Sequence, residues 1–536
     1  MSAEEALDRG KENYQATDEE VDGHACTQNI FMDGTVDPIY QEKARILNDA
    51  IQDIGMGRYQ RGLFVVVGDN LWPVVTGLIL APVVNEFGFN GPFLKLSQNI
   101  GLLVGAIFWG VGSDVWGRKI SFNVTLLLTA IFALAAGGSP NSVSLCSFSA
   151  LWSIGVGGNL PVDSAVFLEF VPASHQYLLT VLSIWWAFGQ LLASLIAWPL
   201  IGNFSCTIGT PYNCPRSSNK GWRYFLLTMG GLMFVLWVIR FFIFKLYESP
   251  KYLMGRGRDE AAVDVVHRVA EHNGTTSRLT LDELTQPGSL SFVNSREMDT
   301  SAKGVIARQL AKFDAGHMNS LFATKKLAYS TTLLIILWAL IGLAFPLYVC
   351  ARSLATRGAD FGDGSLYITY RNVLILSVIG VPGALLAGYM VEMPILGRRG
   401  TLAISTALTG ALILASTTAR TSNALLGWNC AYSLTSNVMY GVLYAVTPEL
   451  FPTKDRGTGN AIVAGANRVF GVMSPIIALY ANLTTSAPIF IAGAIFVVSG
   501  ILFVVGTLEP MIQRHGVAKE KNMSDESEYS ATNYES

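Results

Sequence analysis

Apolar residues gather along this chain into twelve windows, each close to the roughly 20 residues that a helix needs to cross a bilayer. Six fall at about 61–86, 92–112, 121–138, 143–169, 177–201 and 223–247. Six more fall at about 328–350, 367–391, 401–418, 424–447, 458–481 and 487–508. A polar stretch, 248–327, separates the two sets. The pattern predicts an all-α membrane protein with twelve transmembrane helices in two six-helix bundles, 61–247 and 328–508. A polar tail precedes them over 1–60 and another follows over 509–536. Within the polar stretch, Ala262, Val265, Val266 and Val269 recur at helical spacing inside 258–272, and Asn273-Gly274 follows as a stop. This predicts a short amphipathic helix, either a solvated linker or an element with a gating role. From Asn273 to about Asp314 the chain is rich in Ser, Thr, Gly and charge and reads as flexible.

Composition supports the membrane reading. Of the 536 residues, 51% are hydrophobic and 14% charged, against about 25% charged in an ordinary soluble protein. Lys plus Arg is 37 and Asp plus Glu is 39, a net charge of −2, which excludes the basic footprint of a nucleic-acid binder. The first 60 residues hold 13 acidic and 5 basic residues and no signal peptide, so the first apolar window must serve as its own insertion signal. Most basic residues fall in the tails and in loops on one side, which places both termini and the central linker in the cytoplasm. The plasma membrane is the expected location.

The six cysteines include no CxxC pair, so neither a metal site nor a cofactor is expected. Cys206 and Cys214 lie close together in the loop 202–222, where an oxidising face would permit a disulfide. Asn203-Phe-Ser205 in the same loop is a glycosylation sequon.

Two loops repeat one pattern. After the second window comes Gly110-Val-Gly-Ser-Asp114-Val-Trp-Gly117-Arg118-Lys119. After the eighth comes Gly388-Tyr-Met-Val-Glu392, then Gly397-Arg398-Arg399. Topology-setting charge accounts for the basic residues alone. It does not account for an acid and two glycines at matching places. The glycines allow close approach and a sharp turn, and the acid can meet an arginine or a helix N-terminus.

These motifs resemble those of the major facilitator superfamily. Asp114, Gly117, Arg118 and Lys119 match its signature between spans 2 and 3, and Glu392, Gly397, Arg398 and Arg399 its second copy. Glu248-Ser-Pro-Lys-Tyr-Leu253 and Pro448-Glu449-Leu-Phe-Pro-Thr453, with Arg456 following, resemble sugar-porter segments. Gly155-Val-Gly-Gly-Asn-Leu-Pro-Val-Asp163, Glu169-Phe-Val-Pro172 and Gly55-Met-Gly-Arg-Tyr-Gln60 resemble the synaptic-vesicle-protein-2-like branch, which has many fungal members. The resemblance covers roughly 50–510. It implies two pseudo-symmetric bundles that rock about a central site, with Gly110, Asp114, Gly117, Arg118, Lys119, Glu392, Gly397, Arg398, Arg399, Glu449 and Arg456 latching the cytoplasmic side. Ser149 and Ser174-His175-Gln176 stand where sugar porters carry arginines, which weakens a sugar as cargo.

A charge inside a span costs several kcal/mol and needs a use. Asp69, Asp163, Arg371 and Arg468 are pathway candidates, with Asp69 the leading proton carrier and Arg468 suited to an anion or a carboxylate partner. Arg240 lies nearer its span's end, and Glu86 and Glu169, at span ends, can reach headgroups or water. Asn70, Asn159, Gln190 and Asn437 could complete a polar site, and Tyr440, Tyr444, Trp185 and Trp186 add aromatic surface.

The sequence holds no P-loop lysine motif, GxSxG or HExxH, so no enzyme is expected. The lead reading is a monomeric carrier that takes up a small organic solute or ion by proton symport. Its partners would be that substrate, protons and the lipid bilayer, with no nucleic acid. Proton-antiport efflux of a metabolite or drug is the alternative, and a non-transporting sensor of the same fold a second one.

Overall fold

The computed structural model describes residues 38–68, 74–172, 184–206, 214–289, 325–355, 366–393, 397–450, 456–480 and 487–505, with a few isolated positions between. Among the described residues every element is a helix. The first two, α1 (Pro38–Ile54) and α2 (Arg58–Val66), precede the membrane bundle. The N-terminal set follows as α3 (Val75–Phe87), α4 (Pro92–Trp116), α5 (Arg118–Gly137), α6 (Ser142–Phe170), α7 (Ile184–Asn203) and α8 (Gly221–Val238). A π-helical turn, Ile239–Ile243, extends α8. The linker holds α9 (Pro250–Gly255), α10 (Asp259–Asn273) and α11 (Leu281–Ser289). The C-terminal set is α12 (Lys325–Ala355), α13 (Leu366–Glu392), α14 (Gly397–Ser416), α15 (Ser422–Leu450), α16 (Arg456–Tyr480) and α17 (Ala487–Val505).

Each of the twelve apolar windows coincides with one of these helices. Nine described helices are long and apolar enough to cross a membrane, while Val75–Phe87 and Ala487–Phe503 are shorter apolar helices. The remaining one, α15, is long enough at 29 residues. It buries Asn429, Ser433 and Ser436, which lowers its hydropathy. Local chemistry sets several boundaries. Pro92 begins α4, where its missing N–H costs nothing. The Asn141 side chain caps α6 by accepting from the Ser144 N–H at 2.8 Å. Gly88 closes α3 in the left-handed conformation.

Within the N-terminal set, α4 and α5 pack on α6, and α8 packs on α5 and α7. The α4–α6 contact is close because Gly105 faces the Ile154 carbonyl, where a Cβ would overlap it. In the C-terminal set α12 packs on α16 and α17, α13 on α15, and α14 on α15 and α17. The sets meet along α4–α16 and α7–α13. Those two seams exchange under a two-fold relation between the sets, as an internal repeat requires.

The N-terminal segment is more structured than its acidic composition predicts. Ala44, Leu47, Ile51 and Ile54 fall on one stripe of α1 and are all buried. The net acidity conceals this 3.6-residue period. The predicted linker helix is present as α10, and Ala262, Val265, Val266 and Val269 are buried as well. They are not solvated, because α1 and α2 cover them. Each fully buried valine contributes about 1.5–3 kcal/mol. The Lys43–Asp259 ion pair between α1 and α10 is largely buried, and its attraction is offset by the cost of taking both charges out of water. Apolar burial therefore holds this layer together. The stretch read as flexible after Asn273 contains α11, which packs on α1 and α10.

The Gly55–Gln60 motif is the hinge of that layer. The Asn273 carboxamide accepts from the Tyr59 N–H at 2.9 Å and donates to Gln60 Oε1 at 2.9 Å. Gln60 in turn donates to the Phe170 carbonyl at 3.2 Å. One motif thus ties α2 to the ends of α10 and α6.

Candidate functional site

The bundle has two ends, named here for what they carry: a linker end and a disulfide end. At the linker end, Gly117 takes φ +108° and turns the chain between α4 and α5. Helix α5 therefore opens at Arg118 with free N–H groups. Glu248 Oε1 accepts from the Arg118 N–H at 2.8 Å and from the Lys119 N–H at 3.1 Å. A carboxylate at a helix N-terminus is favoured by the dipole. The Arg118 guanidinium pairs with Glu169 at 3.2 Å and donates to Ser113 Oγ at 2.5 Å. Arg256 donates to the Val115 carbonyl at 2.5 Å. Burial is the main cause that holds the Glu248 carboxyl above the usual carboxylate range, against the pull of its N–H donors.

The side chain of Asp114 lies outside the described residues, and the described acidic partners of the motif's Arg118 are Glu169 and Glu248. The sequence places Glu169 near water at a span end. The structure buries most of it against Arg118, which reaches across from the start of α5. Both glutamates sit inside motifs that the sequence displays, and that was the available signal. The second copy repeats the turn: Gly397 has φ +54° and α14 opens there. Arg399 donates to the Phe503 carbonyl at 3.1 Å, and Arg398 is half-buried. The side chains of Glu392, Glu449 and Arg456 lie outside the described residues. The expectation of close approach fails at Gly110, where a Cβ would meet no described atom within 4 Å.

Two buried ion pairs span distances the sequence does not disclose. Asp163 on α6 accepts from Arg240 at 2.5 Å, and both side chains are nearly inaccessible. Arg240 continues the buried stripe of Met229 and Met233 and faces inward, while Phe242 and Ile243 in the π-helical turn face out. The Arg240 guanidinium also lies over the Phe122 ring, 2.9 Å from its centroid. Asp163, a pathway candidate from sequence, thus pins α5, α6 and α8 together. The second pair corrects Glu86, which was expected to reach water or headgroups. It receives both ends of the Arg223 guanidinium at 2.7 and 2.8 Å, together with Trp222 Nε1 at 2.9 Å and Asn219 Nδ2 at 3.0 Å.

Other candidates converge between the sets. Trp186 on α7 meets Tyr444 on α15 edge to face, with centroids 5.0 Å apart. Tyr444 meets Trp338 on α12 in the same way, also at 5.0 Å. Trp338 lies halfway along Leu327–Tyr348, hence near the middle of the membrane. Its indole donates to Thr447 Oγ1 at 2.9 Å, and Asn467 Nδ2 donates to its carbonyl at 3.1 Å. Arg468 on α16 lies within electrostatic reach of Tyr444. It keeps some accessible surface. No described carboxylate pairs with it.

Gln190 stands one turn from Trp186 on α7, and Tyr440 one turn from Tyr444 on α15. Trp185 is turned away, against Phe64 of α2. Asn437 bonds back to the Ser433 carbonyl at 2.8 Å and packs against Gly380. Asn159 is buried on α6. Arg371 is not part of the group. It is exposed and donates to Asn372, because the helix period that turns Tyr370 inward turns Arg371 out. Asp69 and Asn70 lie outside the described residues.

Polar contacts between the sets gather toward the disulfide end. Ser194 and Ser377 share a hydrogen bond of 2.8 Å. Asn99 donates to the Gly471 carbonyl at 2.5 Å, and Tyr370 donates to the Leu78 carbonyl. Trp198 rests on Tyr367. Beyond them Cys206 and Cys214 are joined as a disulfide, and Asn203 is exposed at the end of α7. Among the described residues no ion pair joins the two sets.

Two six-helix sets meeting along paired seams, with repeated Gly-Arg turns at one end, give the fold of a membrane carrier built from two repeated halves. Comparison with known proteins agrees. The family described as "Sugar (and other) transporter" matches residues 94–339. MFS siderochrome iron transporter 1 of Ceriporiopsis subvermispora is 56% identical over 489 residues, covering 90% of this chain and 93% of that protein. The niacin transporter NiaP of Acinetobacter baylyi is 27% identical over 443 residues, covering 80% and 88%. The inward-open, partially occluded xylose transporter XylE from E. coli shares the fold, with a TM-score of 0.57 at 16% identity, covering 86% of this chain and 100% of that one. The chain belongs to the major facilitator superfamily and is a multi-pass membrane transporter, not an enzyme.

Proposed function

We propose that this protein takes up a small organic solute across the plasma membrane by alternating access, driven by proton symport. The linker end and both termini face the cytoplasm, and residues 61–247 and 328–508 move as two bodies. One observation carries the reading. Trp186, Tyr444, Trp338 and Arg468 gather at the junction of the two sets, while the hydrogen bonds that join the sets lie toward the disulfide end. A central site sealed on one side by breakable polar contacts is what alternating access needs. Arg118, Glu169 and Glu248 brace the cytoplasmic end of the N-terminal set, so that it moves as one body. Asp69 carries the proton.

The names of the relatives supply the first cargoes to offer. A ferric siderochrome comes first, because the relative so named is 56% identical over most of both chains. Niacin comes second. The test is uptake of each labelled compound by cells that express the protein, with and without an uncoupler. Uptake that needs the proton gradient and stops in Asp69→Asn at equal expression is the expected result. Compound that instead accumulates inside cells lacking the protein assigns it to efflux. Flux that survives in Asp69→Asn removes that residue from the coupling.

A further inference from the structure

The junction between the sets combines chemistry that a neutral cargo does not require. Arg468 places a delocalised, permanent cation about seven residues into Ala461–Tyr480, a segment apolar enough to cross the membrane. Such a charge is expensive in a bilayer unless a counter-charge or water meets it. Among the described titratable groups, the one that interacts with it electrostatically is Tyr444. Tyr444 itself stands among flat faces and edges: it lies between Trp186 and Trp338, each 5.0 Å away, and one turn along Tyr440 meets Phe345 at 5.6 Å. The Trp338 indole donates to Thr447, so its orientation is set before any ligand arrives. Trp186 comes from the other set, so a ligand held here touches both moving bodies.

We infer that this cluster binds a flat organic anion, its carboxylate on the Arg468 guanidinium and its ring against Trp186 and Tyr444. The inference rests on the reading above that the junction is the translocation path. A planar guanidinium matches a carboxylate with two parallel hydrogen bonds. The rings supply stacking and edge contacts to a planar body. A hexose offers hydroxyls but no negative charge to set against Arg468. The anion also couples binding to movement. It neutralises a charge on the C-terminal set while drawing in an aromatic residue of the N-terminal set.

The test is binding, which does not depend on flux. Full-length protein in lipid nanodiscs is titrated with benzoate and pyridine-3-carboxylate, then with their amides and with glucose, and tryptophan fluorescence is read. The carboxylates should bind and change the emission, and the amides and glucose should bind at least tenfold more weakly. Arg468→Gln should weaken the carboxylates roughly ten- to hundredfold, the range of a hydrogen bond to a charged group, and leave the amides unchanged. Trp186→Leu should weaken both. Because Arg468→Gln could fail to fold, the wild type is also treated with phenylglyoxal, and Arg468 modification is read by mass spectrometry with and without carboxylate. Protection by the carboxylate and not by its amide supports the site. Equal binding of acid and amide, no carboxylate binding at 10 mM, or no protection of Arg468 overturns it. Carboxylate binding without uptake in any assay sinks the transport reading and leaves this one standing. Uptake without protection at Arg468 does the reverse.

Discussion

The Asp163–Arg240 pair gives the sharpest test of how this bundle is built. Both side chains are almost fully buried and 2.5 Å apart. Removing one partner strands the other charge in the interior, at a cost of about 3–5 kcal/mol. That is roughly two to nearly four orders of magnitude in a folded-to-unfolded ratio. Arg240 has a second contact, the face of Phe122, worth about 2 kcal/mol when desolvated. Asp163→Asn and Arg240→Met should therefore each destabilise strongly, and the double variant should cost much less than their sum. The coupling should reach about 3 kcal/mol, the upper end for residues in direct contact. The assay is unfolding of purified protein in mixed micelles by increasing dodecyl sulfate, followed by tryptophan fluorescence. If the two single effects add to the double within about 0.5 kcal/mol, the pair does no joint work and the reasoning fails. The same variants bear on transport. A structural pin predicts that the double variant keeps proton-driven uptake. A double variant that folds but loses proton dependence would return Asp163 to the coupling path.

Further outcomes follow from other contacts. Gly117→Ala should destabilise by about 1–3 kcal/mol, because φ is +108° and the new Cβ would lie 2.6 Å from Glu248 Oε2; thermal unfolding in detergent measures it. Burial raises the Glu248 pKa above its ordinary 4.5, so the folded state binds the proton more readily than the unfolded one. Stability should then fall as pH rises through the window between the ordinary and raised values, and Glu248→Gln should flatten that slope in melts taken across it. Ser194→Cys with Ser377→Cys places two thiols where hydroxyls now sit 2.8 Å apart. Oxidation should lock the disulfide end and stop uptake, and a reductant should restore it. Leu47→Asp in α1 should undock that helix and make the chain near residue 58 cleavable by protease, because Leu47 is fully buried.

The architecture was written in the chain. Twelve apolar windows, a polar gap and two matching loops dictate twelve helices in two sets, because a bilayer accepts only segments that satisfy their own backbone. The α10 positions Ala262, Val265, Val266 and Val269 were legible from period alone. Gly117 and Gly397 were legible as turns, since the motif repeats a residue type that tolerates positive φ. Helix α1 was also encoded, but its stripe was read through an acidic average that hid it.

What the sequence left open was pairing. Asp163 meets Arg240 across 77 residues and Glu86 meets Arg223 across 137, and nothing in either local pattern names its partner. The outcome depends on how each helix is rotated: Arg240 continues the buried stripe of Met229 and Met233 on α8. The same rotation sends Trp185 to Phe64 and its neighbour Trp186 to Tyr444, and it turns Arg371 outward beside a buried Tyr370. A residue type fixes which chemistry is available. Only the packed bundle decides which charges are cancelled in pairs and which, like Arg468, face the junction.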